Sequence, residues 1–173
     1  MLTAAAGLFE SIVPLSDVTG LIVIAAGIAH AFRLSRWRGL ATRAEPLLFV
    51  LHAAYFWLPV GYLLLGLSIY GRLIPSTVAL HALTMGVIAF MVLAVSTRVA
   101  LAHTGRKLHA ARLTVVAYWL LLIAVLLRLL SPFLANYFLA LDAAAAAWVL
   151  AFGLFVWVYL PILTGPAIQN PPD

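Results

Sequence analysis

Three residues with usable chemistry share one apolar run, and a fourth follows it directly. Residues 75–102 are hydrophobic enough to cross a bilayer, yet they contain His81, Met85 and Arg98 and lead directly into His103. An ionisable side chain inside a membrane span costs at least about 2.5 kcal/mol, so it characteristically lines a cavity, binds a ligand or pairs with another group. His81 and Met85 are spaced i, i+4 and share a helical face, and imidazole with thioether is a donor set that suits Cu(I). The plainer reading of Met85 is a packing residue. His81 and His103 are 22 residues apart. On an unbroken α-helix that is roughly 33 Å of rise with an offset of about 40°, which would put a histidine near each membrane surface on one face.

Two further histidines fall at matched depth. His30 lies about a turn from the end of the first apolar segment and His52 about two turns into the second, so both sit roughly 6–9 Å below the same membrane boundary. Histidines so placed on consecutive antiparallel helices are candidate axial ligands of a b-type haem. The small residues of Ala25-Ala26-Gly27-Ile28-Ala29-His30-Ala31 would let a flat macrocycle approach, or would equally let helices pack closely. Arg33 and Arg98, at similar depth, are candidate partners for haem propionates. The alternative is that His30 and His52 make ordinary interhelical hydrogen bonds. His103, in His103-Thr104-Gly105-Arg106, reads as a helix C-terminus with Gly105 as left-handed cap, and it is a third haem-ligand candidate.

Five segments position these residues: about 17–34, 46–69, 75–102, 110–130 and 140–162. Asp17 or Ser16 caps the first, Glu45-Pro46 opens the second, Ser131-Pro132 stops the fourth, and Pro161 lies at the end of the fifth. Pro59 should kink the second and free the carbonyl of Tyr55. Arg128 is expected to snorkel or to pair with Asp142. Ahead of these spans, Leu8, Phe9, Ile12 and Val13 fit one amphipathic surface turn, and the N-terminal residues lack the basic start of a secretory signal. The proline-rich tail GPAIQNPPD should not be helical. The fold class is therefore all-α: a polytopic membrane helix bundle of about five transmembrane helices, with residues 1–173 forming a single transmembrane domain.

Composition agrees. Of 173 residues 66% are hydrophobic and 9% charged, and mean hydropathy is +1.15, so the lipid bilayer is the solvent. The chain has no cysteine, which excludes disulfides, thiolate metal sites and iron–sulfur clusters. The net charge of +5 does not indicate nucleic acid, because eight of the ten basic residues (Arg33, Arg36, Arg38, Arg43, Arg98, Arg106, Lys107 and Arg112) fall on one side of the spans. By the positive-inside rule that side is cytoplasmic, with the N-terminus periplasmic and the C-terminus cytoplasmic. No nucleophile–base arrangement, P-loop or dinucleotide fingerprint is present. The run of five alanines after Asp142 offers a surface for close helix approach, and five helices are few to enclose a haem. A homo-oligomer or a partner membrane subunit is therefore expected.

Several segments in order, Arg36-Trp37-Arg38-Gly39, Glu45-Pro46-Leu47-Leu48-Phe49-Val50-Leu51-His52, Trp57-Leu58-Pro59-Val60-Gly61, His81-Ala82-Leu83-Thr84-Met85-Gly86, Thr97-Arg98-Val99 and His103-Thr104-Gly105-Arg106, resemble the NnrS family of bacterial membrane proteins. The resemblance covers roughly residues 20–165 and the C-terminal part of the family's usual chain, which is more than twice as long. It implies an inner-membrane protein that contains haem and copper and acts in the response to nitric oxide. It also implies that His30, His52, His81 and His103 are metal ligands with Arg98 as their neighbour. The rival reading is a cofactor-free transporter or assembly subunit whose histidines line a proton or metal path.

Overall fold

In the computed structural model, residues 17–168 are described. The amphipathic turn expected at Leu8–Val13 and the last residues of the tail lie outside them. The chain forms five helices long and apolar enough to span a membrane: α1 (Asp17–Ser35), α2 (Pro46–Ile69), α3 (Ser76–His103), α4 (Arg112–Leu130) and α5 (Tyr137–Thr164). The expected bounds hold to within three residues. The largest difference is at α5, which begins at Tyr137 rather than at residue 140, soon after the short 3-10 turn Ser131–Phe133. Pro59 lies inside a continuous α2.

Packing follows chain order. α1 lies on α2, α2 on α3, and α4 pairs with α5, while α3 touches both members of that second hairpin. Lipid provides little hydrophobic drive between helices, so close backbone approach has to supply the contact energy. Small residues provide it. Gly20 and Gly66 face one another across α1 and α2, where an added Cβ at Gly66 would meet the Gly20 carbonyl at 2.9 Å, and Gly27 sits against Leu63. Gly27 and Ala26, considered above as room for a macrocycle, are therefore taken up by the α1–α2 crossing. On α5, Ala140, Ala144, Ala147 and Ala151 are buried, at a spacing that forms one stripe on the helix, and α4 is the helix α5 packs on most extensively. Part of the alanine run expected to meet another chain thus serves an internal contact.

The main departure lies in α3. Its middle, Ala82–Ala89, is π-helical, between α-helical Ser76–His81 and Phe90–His103. The i→i+5 bonds underwind the chain. One extra residue in a turn rotates everything beyond it by about 100° relative to an unbroken α-helix. The angular offset between His81 and His103 therefore changes from about 40° in one sense to about 60° in the other. Buried positions continue through the stretch at Val78, Ala79, Ala82, Gly86 and Phe90, then Leu93, Ala94 and Thr97, so the π turns hold the packed stripe in line. Gly86 lies flat against the Trp57 ring of α2.

At its far end α3 closes with a Schellman motif. The Arg106 N–H donates to the Leu101 carbonyl (3.0 Å), the Gly105 N–H to Ala102 (3.2 Å), and Gly105 has φ +69°, as the sequence predicted. The segment after α5 docks there, with the Ile168 N–H donating to the Thr104 carbonyl at 3.0 Å.

Candidate functional site

The α1–α2 hairpin carries a continuous series of rings. His30 on α1 hydrogen-bonds through Nδ1 to the Tyr55 hydroxyl at 2.8 Å and stacks on Tyr62 at 5.6 Å with planes 18° apart. Trp37, just past α1, lies 4.5 Å from Tyr55 and edge-on to His52 at 6.1 Å. Arg33 places its guanidinium over Trp37 at 5.4 Å, a cation–π contact. The order is therefore Tyr62, His30, Tyr55, Trp37, His52, and the two histidines expected to face each other are separated by Tyr55 and Trp37.

His52 has a different environment. Its Nδ1 is 3.0 Å from the Leu48 carbonyl one turn earlier. A carbonyl can only accept, so Nδ1 carries the proton, and in the neutral ring Nε2 keeps its lone pair. The imidazole forms part of the wall of a cavity of about 830 Å³, together with Phe49, Ala53, Phe56 and Trp57 of α2, Trp119 and Leu122 of α4, and Leu34, Ser35, Arg38, Gly39, Leu40 and Ala41 at one end. The size lies within the range of small-molecule and cofactor sites, and the composition fits them too, with apolar walls and a few polar groups. Gly39 allows its loop to close on the imidazole, since a Cβ there would come within 2.9 Å of the His52 ring.

The other candidates sit elsewhere. Neither Arg33 nor Arg98 is in the cavity wall. Arg98 is half-buried on α3 beside Thr97, whose hydroxyl meets that of Tyr118 at 2.6 Å. His103 is exposed at the end of α3. His81 closes the first α-helical part of α3, with its Nδ1 on the Thr77 carbonyl at 2.6 Å, so it too is held as the Nδ1–H tautomer in the neutral ring. Met85 lies within the π turns and packs against the core. Among the described residues no group of three or more His, Cys, Asp or Glu is gathered as a metal site, so His81 and Met85 offer two donors and no closed cage. Arg128, expected to snorkel or to pair with Asp142, hydrogen-bonds Ser131 at 3.0 Å.

Sequence reasoning missed Tyr55 and Tyr62 as partners of His30, and Arg38 and Gly39 as neighbours of His52. The available signal was the Arg36-Trp37-Arg38-Gly39 segment, whose tryptophan and glycine between spans served only for the resemblance and its arginines for topology.

Membrane-length helices, histidines with tethered ring nitrogens and an apolar cavity between helices together define a multi-pass helical membrane protein with a candidate small-molecule site. The chain belongs to the NnrS family: the family model described as NnrS protein matches residues 1–167. No curated relative and no solved structure matches it.

Proposed function

We propose that this chain is a haem-binding protein of the bacterial inner membrane that acts in the nitric oxide response, with His52 as haem ligand. Family membership supports the response. The observation that supports the ligand is the tethered imidazole in the cavity wall, with Nδ1–H on the Leu48 carbonyl and Nε2 carrying the lone pair a metal needs. Metal-bound histidines almost always have this second hydrogen bond, which fixes the ring and raises its basicity. The residues present fit the group. A ferrous haem held there would supply an iron able to bind nitric oxide. Phe49, Phe56, Trp57 and Trp119 provide a low-dielectric wall into which an apolar gas partitions, while Trp37 and Gly39 restrain the imidazole from the loop side. His52 is the one histidine in that wall. With His52 as its one protein ligand, a haem held there would stay open to gas, which it would not if His30 or His103 also bound it. His81 and Met85 offer two donors for copper, and the remaining ligands would come from a second copy or a partner subunit.

The test is optical. The purified protein should show a Soret band whose ferrous form shifts with nitric oxide. His52→Ala should abolish the band while the protein elutes from size exclusion as a folded particle, and His30→Ala should retain it. Normal haem in His52→Ala would overturn the ligand. A chain that stays colourless when haem is supplied would favour the transporter reading.

A further inference from the structure

We propose that Arg38 is the anchor for the acidic edge of the cavity's ligand, taking a haem propionate; the inference rests on the haem reading above. Arg38 lines the same cavity as His52. Among the described residues its guanidinium has no hydrogen-bond or ion-pair partner, while Phe49, Phe56, Trp57, Trp119 and Leu122 make the body of the wall apolar. The site therefore has one metal-ligating imidazole, an apolar body and one unpaired cation at its rim. That pattern matches a flat amphiphile with a metal centre and carboxylates on one edge. The guanidinium fork suits a carboxylate because two parallel N–H donors meet its two oxygens.

The backbone gives an independent reason. Arg38 is held left-handed, at φ 49° and ψ 37°, a conformation disfavoured for any residue with a Cβ and freely open to glycine. Among the described residues the other non-glycine residue with positive φ is Arg72, in the turn between α2 and α3. At Arg38 the conformation is fixed from both sides. Trp37 is seated on Tyr55 and His52, and Gly39 lies against the His52 ring, with its carbonyl accepting from the Thr42 hydroxyl at 2.7 Å. Strained residues so over-determined cluster at ligand sites. Here the strain keeps a guanidinium at the cavity rim, where Arg33, bound to the Trp37 face, does not reach.

The experiment compares two probes that differ only at the carboxylates. Full-length protein, prepared without haem in phosphatidylcholine nanodiscs, is titrated with haemin and with haemin dimethyl ester while the Soret band is followed. R38Q and R38G should each weaken haemin by about tenfold, the scale of one charge-assisted contact, and R38K by less. All variants should bind the ester as the wild type does. R38G also relieves the left-handed backbone, so its thermal stability should rise while haemin affinity falls, a combination that a purely structural arginine would not give. Unchanged haemin affinity in both R38Q and R38G overturns the proposal, as does an equal loss of haemin and ester. A stability gain for wild type over R38Q in phosphatidylglycerol discs that is absent in phosphatidylcholine, with haemin binding unaltered, would assign the guanidinium to a lipid phosphate and also overturn it. Retention of the Soret shift in His52→Ala removes the ligand reading alone, and the ester comparison then still decides Arg38.

Discussion

Replacing Tyr55 by phenylalanine removes one oxygen and keeps the ring against Trp37, so it isolates the hydrogen bond to His30. Interhelical hydrogen bonds in membranes average about 0.6 kcal/mol and reach about 1.7 kcal/mol. Tyr55→Phe should lose an amount in that range in a detergent-unfolding titration while the haem spectrum persists. Gly105→Ala should cost more, because the new Cβ would meet both the left-handed backbone and the Ile168 carbonyl; a loss above about 1 kcal/mol is expected in the same titration. Residue types were legible in the sequence: His52 as a ligand candidate and Gly105 as a cap both follow from local pattern. Partners were not. That His30 meets Tyr55 and Tyr62, and that Arg38 reaches the cavity where Arg33 and Arg98 do not, depends on how α1 crosses α2 and how the intervening loop folds back. No spacing rule encodes either.

Among elements, the five spans were readable to within three residues because length and hydropathy decide them. The π stretch was not. Ala82-Leu83-Thr84-Met85-Gly86-Val87-Ile88-Ala89 has a single polar residue, Thr84, so the segment has almost no polar face from which a change of helical phase could be read. Its role in packing is testable at Gly86, which lies flat against Trp57. Gly86→Leu should force the α2–α3 crossing apart at a cost of about 1–3 kcal/mol. Because Trp57 also lines the cavity, haemin affinity should fall with stability, in contrast to R38G, where the two move in opposite directions. A Gly86→Leu protein with wild-type stability would show that the close crossing is not needed.

For the molecule as a whole, the basic residues carry the proposed orientation, with the C-terminus cytoplasmic. A reporter fused after Ile168 should be active only in its cytoplasmic form; a periplasmic signal would reverse the sidedness of the His52 cavity. An assembly larger than one chain is expected from the edges of the fold. Only 17% of an 18-residue stretch of α5 is buried, against 39% for the corresponding stretch of α3, and Trp148, Phe152, Gly153 and Trp157 line an apolar groove of about 810 Å³ along its open side. The alanine run, read in the sequence as the surface for a partner, has Ala144 and Ala147 buried within the chain, and this groove is the surface we propose in its place. Mass measurement in mild detergent should give at least a dimer, and a haem-loaded monomer would refute it. The placement of the tryptophans has a practical consequence. Of the five in the chain, Trp57 and Trp119 line the cavity and Trp37 contacts His52, whereas Trp148 and Trp157 sit on the outer groove of α5. Intrinsic fluorescence is therefore divided between the two surfaces. A chromophore entering the cavity should quench Trp57 and Trp119 most strongly, because they touch it, and a second chain on the groove should shift the emission of Trp148 and Trp157, whose exposed rings it would cover.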